Sequence, residues 1–243
     1  MQAEQEQQDQ KDGRVALVTG GNRGIGKEIC RRLAREGLRV VLTAREKSRG
    51  IAAQEILKRE GLEVEFQRLD LLDPASIEAA VAFVASRYGK LDFLVNNAGI
   101  LPDRNESGVT VSEGMVREAF ETNALGPLLV SQAFAPLLKK GWHPKIINVS
   151  SGLGSLSDMS GGYPAYRISK TALNAVTRIL AAELKASGIY VNSICPGWVK
   201  SDMGGKYAER TVGEGAMWIV RLALMDKDIP SGAFLRDGKP IPW

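Results

Sequence analysis

From Arg14 onward the chain alternates two patterns. Short runs rich in β-branched and other apolar residues have strand length: Val15–Thr19, Val40–Thr43, Val64–Phe66, Leu91–Val95, Ile146–Val149 and Val191–Ile194. Several are apolar nearly throughout, as strands buried on both faces of a parallel sheet are. Between them lie longer stretches in which apolar residues recur every three or four positions. In Gly24–Glu36, Ile25, Ile29, Leu33 and Ala34 share one helical face. The same rule predicts helices over Lys47–Gly61, Pro74–Tyr88, Glu113–Lys140 and Tyr163–Ser187, and a last one near Glu214–Met225. Pro74 stands just inside its helix, after Asp73 as a candidate cap. Strand and helix in strict alternation imply right-handed crossovers and an α/β, doubly wound parallel sheet with helices on both faces. Residues 14–243 read as a single catalytic domain. The segment Lys200–Val212 is glycine-rich, charged and aperiodic, and reads either as a mobile substrate loop (about 198–215) or as a plain surface loop.

Composition narrows the class. Lys and Arg number 32 against 28 Asp and Glu, too balanced for a disordered chain or for a default nucleic-acid partner. No run approaches the roughly 18 apolar residues of a membrane span. Residues 1–13 form a polar tail with neither the apolar core of a signal peptide nor the character of a transit peptide. Cys30 and Cys195 lie far apart in apolar surroundings, without His or Cys neighbours at metal-ligand spacing. They read as buried small hydrophobes, in keeping with a reducing, cytoplasmic setting and no bound metal.

The first strand runs directly into Thr19-Gly-Gly-Asn-Arg-Gly-Ile-Gly26, where a helix begins. Gly20, Gly24 and Gly26 permit the tight turn and close backbone approach that a pyrophosphate at a helix N-terminus requires. An NAD-reading acid belongs about 20 residues further on, at the end of the second strand. There the sequence is Thr43-Ala-Arg45, followed by Glu46. Arg45 and Arg23 instead offer guanidinium groups suited to a 2′-phosphate, which points to NADPH/NADP+.

Six motifs now stand in order: the glycine loop, Asn96-Asn-Ala-Gly99, Asn123, Ser150-Ser151, Tyr166-Arg-Ile-Ser-Lys170 and Pro196-Gly197. Together they resemble the short-chain dehydrogenase/reductase family, over about Arg14 to Trp243, and within it most closely the NADPH-dependent carbonyl reductases. The resemblance implies a Rossmann-type fold and a catalytic set of Asn123, Ser151, Tyr166 and Lys170. It implies cofactor contacts from Gly20, Asn22, Arg23, Gly24, Ile25, Gly26 and Arg45, from Asp70 and Leu71 at the adenine, and from Asn97, Ala98 and Gly99. Further contacts come from Tyr166, Lys170, Pro196, Gly197, Val199 and Ser201, the last standing where the family usually has Thr.

The chemistry is consistent with those roles. Tyr166 and Lys170 share a helical face, and a nearby ammonium favours the phenolate of a phenol whose ordinary pKa is near 10. In the reductive direction Tyr166 protonates the carbonyl oxygen as hydride reaches carbon, and Ser151 stabilises the developing charge. By family analogy Asn123 places a water linked to Lys170, and the pro-S hydride is transferred. Ser150 is the alternative to Ser151. Tyr163 fails the motif because Arg167 stands four residues on, and it either lines the pocket or packs. His143 reads as a loop residue. The expected activity is NADPH-dependent reduction of an aldehyde, ketone or quinone. The alternatives are an NADP-dependent alcohol, steroid or sugar-alcohol dehydrogenase and a non-catalytic NADPH-sensing protein. Some carbonyl reductases carry an insertion before the catalytic Tyr that blocks a helix-bundle interface; here only residues 152–165 separate Ser151 from Tyr166. A homodimer or homotetramer is therefore expected.

Overall fold

The computed structural model describes residues 13–243, so nearly all of the expected polar tail lies outside the described residues. The six apolar runs become β1 (Val15–Val18), β2 (Arg39–Ala44), β3 (Val64–Arg68), β4 (Phe93–Asn96), β5 (Lys145–Val149) and β6 (Tyr190–Ile194), and two further strands follow, β7 (Phe234–Arg236) and β8 (Lys239–Pro240). They pair in the order β3-β2-β1-β4-β5-β6-β7-β8, parallel throughout except for β8. The helices are α1 (Gly24–Arg35), α2 (Lys47–Arg59), α3 (Pro74–Tyr88), α4 (Glu113–Phe120), α5 (Gly126–Leu138), α6 (Pro164–Glu183) and α7 (Val212–Leu224). Asp73 caps α3 as its position implied, its carboxylate accepting from the Ala75 and Ser76 amides. Such a cap contributes about 1 kcal/mol.

The sheet is covered on both faces because its central strands are apolar on both. Leu33, Leu57 and Ile219 from α1, α2 and α7 pack with Val18, Leu42 and Ile147 on one side. Val84, Phe134 and Leu180 from α3, α5 and α6 pack with Leu17, Leu94 and Ile146 on the other. A ladder of buried polar side chains crosses this second face beneath α6. Asn96 Nδ2 donates to Asn148 Oδ1 at 2.8 Å and to Ser131 Oγ at 3.1 Å. Asn148 Nδ2 donates to Thr177 Oγ1 at 2.8 Å, and Thr177 in turn pairs with Ser193 at 2.8 Å.

Three elements differ from expectation. The predicted helix Glu113–Lys140 is interrupted at Glu121–Leu125 by a π-helical turn, a local widening that hydrophobic periodicity does not reveal and that recurs at functional sites. β7 and β8 were not foreseen, because Phe234–Arg236 is too short to show a period. The 200–212 segment is tied down at its base: the Lys200 amide donates to the Arg210 carbonyl at 2.8 Å and the Arg210 amide to Trp198 at 3.0 Å. Among the described residues no helix is long and apolar enough to cross a membrane. Both cysteines are buried and unpaired.

Candidate active site

Strand order reverses between β1 and β4, which opens a crevice at the carboxyl ends of the strands. A groove of ≈ 320 Å³ occupies it. Gly20 (φ 63°) and Gly24 (φ 51°) adopt left-handed backbone that L side chains rarely take, and the turn delivers α1 N-terminus first. Gly26 lies so close to the Gly20 carbonyl and Asn97 Nδ2 that no side chain fits there. Asn97 Nδ2 donates to the Thr19 carbonyl at 2.9 Å and the Gly20 carbonyl at 3.2 Å, while the Thr19 hydroxyl accepts from the Asn97 and Ala98 amides at 3.0 and 3.1 Å. The loops after β1 and β4 are thus stapled to each other, leaving a bare glycine cradle with free helix amides. A dinucleotide pyrophosphate fits that cradle.

The groove brings together Gly20, Asn22, Arg23, Gly24, Ile25, Gly26, Arg45, Asp70, Leu71, Asn97, Ala98, Gly99, Tyr166, Lys170, Pro196 and Ser201. Gly197 and Val199 are not among its lining residues. Gly197 has φ 79° and packs on the Arg210 side chain, and Val199 is buried, bridging to Arg210. The groove also takes in residues that motif reading missed, among them Arg49, Asp202 and Met203. Glu46, the one acid near Arg45, is paired with Arg49 at 2.8 Å. Arg45 is exposed. Arg23 donates to Asp202 at 2.6 Å, across from the glycine loop to the segment after β6. Arg104 reaches the Asp202 and Met203 carbonyls of the same segment.

At the inner end of the groove stand Tyr166 and Lys170, while Ser151 and Asn123 are not among its lining residues. Tyr166 and Lys170 are buried on one face of α6, with Lys170 Nζ 5.7 Å from the Tyr166 ring centre and donating to the Val149 carbonyl at 2.9 Å. Ser151 stands near enough to the Tyr166 hydroxyl to act on it, and its own hydroxyl accepts from the Leu153 amide at 3.2 Å. Ser150 is turned away, its hydroxyl donating to Asn174 Oδ1 at 2.8 Å. Burial pushes the Tyr166 phenol up to about 12, a rise that Ser151 opposes and that Cys195 and Asp103 add to. Lys170, expected from the sequence to favour the phenolate, is itself pushed down to about 8 by burial. In this environment Tyr166 is a protonated donor at neutral pH. Asn123, on the π-helical turn, is fully buried. Its Oδ1 accepts from the Ile100 amide at 2.8 Å, and its Nδ2 donates to the Ile100 carbonyl and to Ser169 Oγ, each at 2.9 Å. Gly99 leaves room between Asn123 Oδ1 and Lys170 Nζ that a side chain would take. Tyr163 is half-buried with φ 53° immediately before α6.

A doubly wound sheet with a glycine cradle at its switch point and a Tyr–Lys–Ser cluster beside it defines a dinucleotide-dependent oxidoreductase. Residues 14–211 match the short chain dehydrogenase family, and the chain belongs to it. It is 39% identical to (+)-neomenthol dehydrogenase of Arabidopsis thaliana, over 91% of this chain and 95% of that one. It is 36% identical to carbonyl reductase [NADPH] 3 of Rattus norvegicus, over 95% and 98% respectively. That alignment spans 279 positions against 243 residues here, so the relative carries residues with no counterpart in this chain. Among solved structures, NADPH-bound carbonyl reductase from chicken fatty liver superposes with a TM-score of 0.85 at 36% identity, covering 95% of this chain and 99% of that one.

Proposed function

We propose that this chain reduces the carbonyl of an aldehyde, ketone or quinone with NADPH. The observation that carries the reading is the placement of Tyr166 and Lys170, with Ser151 close to the Tyr166 hydroxyl, at the inner end of a groove whose outer end holds Arg45 and Arg23. Bound there, NADPH supplies the hydride. Tyr166 Oη, neutral through burial, donates its proton to the carbonyl oxygen, and Ser151 hydrogen-bonds that oxygen as charge develops. Lys170 lies along the inner wall and replenishes the proton through the space beside Gly99, which Asn123 shapes by fastening the loop after β4 to α6. Arg45, free of any competing acid once Glu46 is engaged by Arg49, holds the 2′-phosphate. Asp70 and Leu71 border the adenine, and Asn97, Ala98, Gly99, Pro196 and Ser201 border the rest of the cofactor.

The same reading makes the protein a cytoplasmic homodimer or homotetramer. Its two unpaired, buried cysteines fit a reducing compartment. On α6, Ile168 and Ile179 are 50% and 54% exposed, with Ala172 and Ala175 between them, and Phe120 of the adjoining α4 is 43% exposed. The short 152–165 connection leaves this apolar stripe open to a second copy.

The test is consumption of NADPH beside NADH across aldehydes, diketones and quinones, with Arg45→Asp in parallel. NADPH-dependent turnover in the native chain, and a shift of preference toward NADH in the variant, are expected. NADPH binding without turnover on carbonyls or, in reverse, on alcohols with NADP+ would replace the enzyme by a sensor. An unchanged NADPH/NADH ratio in Arg45→Asp would remove Arg45 from the phosphate.

A further inference from the structure

Helix α6 begins without a cap of its own. Tyr163 precedes it in left-handed conformation and makes no side-chain hydrogen bond to the helix amides, and Pro164 fills the first position. The amides of the next two residues, Ala165 and Tyr166, are satisfied from elsewhere: Asp103 Oδ2 accepts both, at 2.6 and 3.3 Å. Asp103 belongs to the loop after β4, 62 residues earlier in the chain than Ala165. It is 0% exposed, and its second oxygen has no hydrogen-bond partner.

The contrast with Asp73 is informative. Asp73 caps α3 from the adjacent position, at the surface, with its other oxygen held by Arg68 at 3.0 Å. A buried carboxylate with an unpaired oxygen is a costly way to cap a helix, because desolvation of a charge exceeds what capping returns. Stability alone does not account for it. What Asp103 does achieve is direct: it grips the amide of the residue proposed as proton donor. The same loop is fastened a second time through Ile100 to Asn123, whose amide reaches Ser169, and Ser169 Oγ donates to the Tyr166 carbonyl at 2.8 Å. The Tyr166 backbone is therefore tied to the loop that also carries Asn97-Ala-Gly99, directly at its amide through Asp103 and indirectly at its carbonyl through Ser169 and Asn123.

We propose that Asp103 is a positioning residue for the reduction, setting the placement of Tyr166 relative to the cofactor groove by capping α6 from the β4 loop. The proposal rests on the reading of Tyr166 as proton donor. It accounts for a carboxylate in a place where an amide or hydroxyl would cap at lower desolvation cost: ionised oxygens make the shorter, stiffer bonds to backbone amides. A displacement of about 1 Å at a reacting group costs up to about 10²-fold in rate, so a stiff anchor on Tyr166 matters more to turnover than to folding.

The experiment compares Asp103→Ala, Asp103→Asn and Tyr166→Phe with the native chain, at a temperature well below each melting point, reading kcat, carbonyl KM and NADPH affinity separately. Asp103→Ala should lose about 10–10²-fold in kcat, with NADPH affinity and KM within about twofold. Asp103→Asn keeps an acceptor for the Ala165 amide, though a neutral and softer one, and should recover part of that loss. If Asp103→Ala does not fold, Asp103→Ser takes its place, with a hydroxyl too short to reach both amides and a kcat expected below that of Asp103→Asn. The proposal is overturned if the Ala or Ser variant is merely less stable and keeps kcat within twofold. It is equally overturned if Asn and Ala lose kcat, KM and NADPH affinity alike. Near-native turnover in Tyr166→Phe would instead remove the reading of Tyr166, whatever the Asp103 variants do.

Discussion

Lys170 is expected to be a liability to folding, and replacing it by Met should raise the stability of the protein while removing its activity. The Lys170 side chain is 4% exposed, and burial lowers its pKa from an ordinary 10.5 to about 8. At about 1.4 kcal/mol per pH unit, keeping this ammonium protonated in the fold costs about 3 kcal/mol at pH 7. Met is close in volume and carries no charge, so that cost vanishes. Against it stands the lost hydrogen bond to the Val149 carbonyl, about 1 kcal/mol. The net gain is about 2 kcal/mol, or roughly 4–8 °C in Tm for a chain of this size. The sign with pH follows from the lowered pKa. Below pH 8 the native chain bears the full cost; between pH 8 and 10.5 the folded lysine is neutral while the unfolded one is still charged, and the cost fades; above 10.5 it is gone. Thermal unfolding of the two proteins at pH 7 and pH 10, without cofactor, checks this. The variant should melt higher at pH 7 and no higher at pH 10. A variant less stable at pH 7, or a gap of equal size at both pH values, would refute the account of Lys170 as a desolvated charge.

Gly26→Ala forces a methyl against the Gly20 carbonyl and Asn97 Nδ2, so it should cost about 1–3 kcal/mol in stability and abolish measurable NADPH binding, read by melting and fluorescence titration. Tyr166→Phe should bind NADPH normally and lose about 10²–10⁴-fold in turnover, measured under single-turnover conditions. Ile179→Glu on the exposed stripe of α6 should shift the light-scattering mass from a multiple of 26.3 kDa toward 26.3 kDa itself; a native chain already at that mass would dispose of the oligomer.

Much of this was legible in the residues. The strands of the central sheet are apolar on both faces, so their period-free runs stand out against amphipathic helices, and four of the six family motifs sit at strand ends where the backbone itself fixes their place. The serine pair shows where reading stops. Ser150 and Ser151 are adjacent in sequence, and only the pleat at the end of β5 turns one hydroxyl to Asn174 and the other to Tyr166. The π-helical turn at Asn123 was hidden because one extra residue in a helix barely disturbs its period. The electrostatics of Tyr166 depend on burial, which spacing does not encode: four residues place Lys170 beside it, but both groups are then desolvated together. Asp103 and Asp202 left no local signal, since each acts on a segment 62 or more residues away.

The ladder from Asn96 through Asn148 and Thr177 to Ser193 bears on how this architecture tolerates change. An apolar helix face can slide one turn, about 5.4 Å, along a sheet and still bury its leucines. The ladder admits a single register, because any slide strands several buried polar groups at about 1–3 kcal/mol each. Helix α6 thus takes its register along the sheet from below, from the ladder, while the Asp103 contact fixes its first turn. Loops outside the 97–103 anchor are free to lengthen or shorten without shifting Tyr166 along the sheet. A relative whose alignment runs to 279 positions and a chain of 243 residues can therefore share one chemical centre while presenting quite different entrances to it.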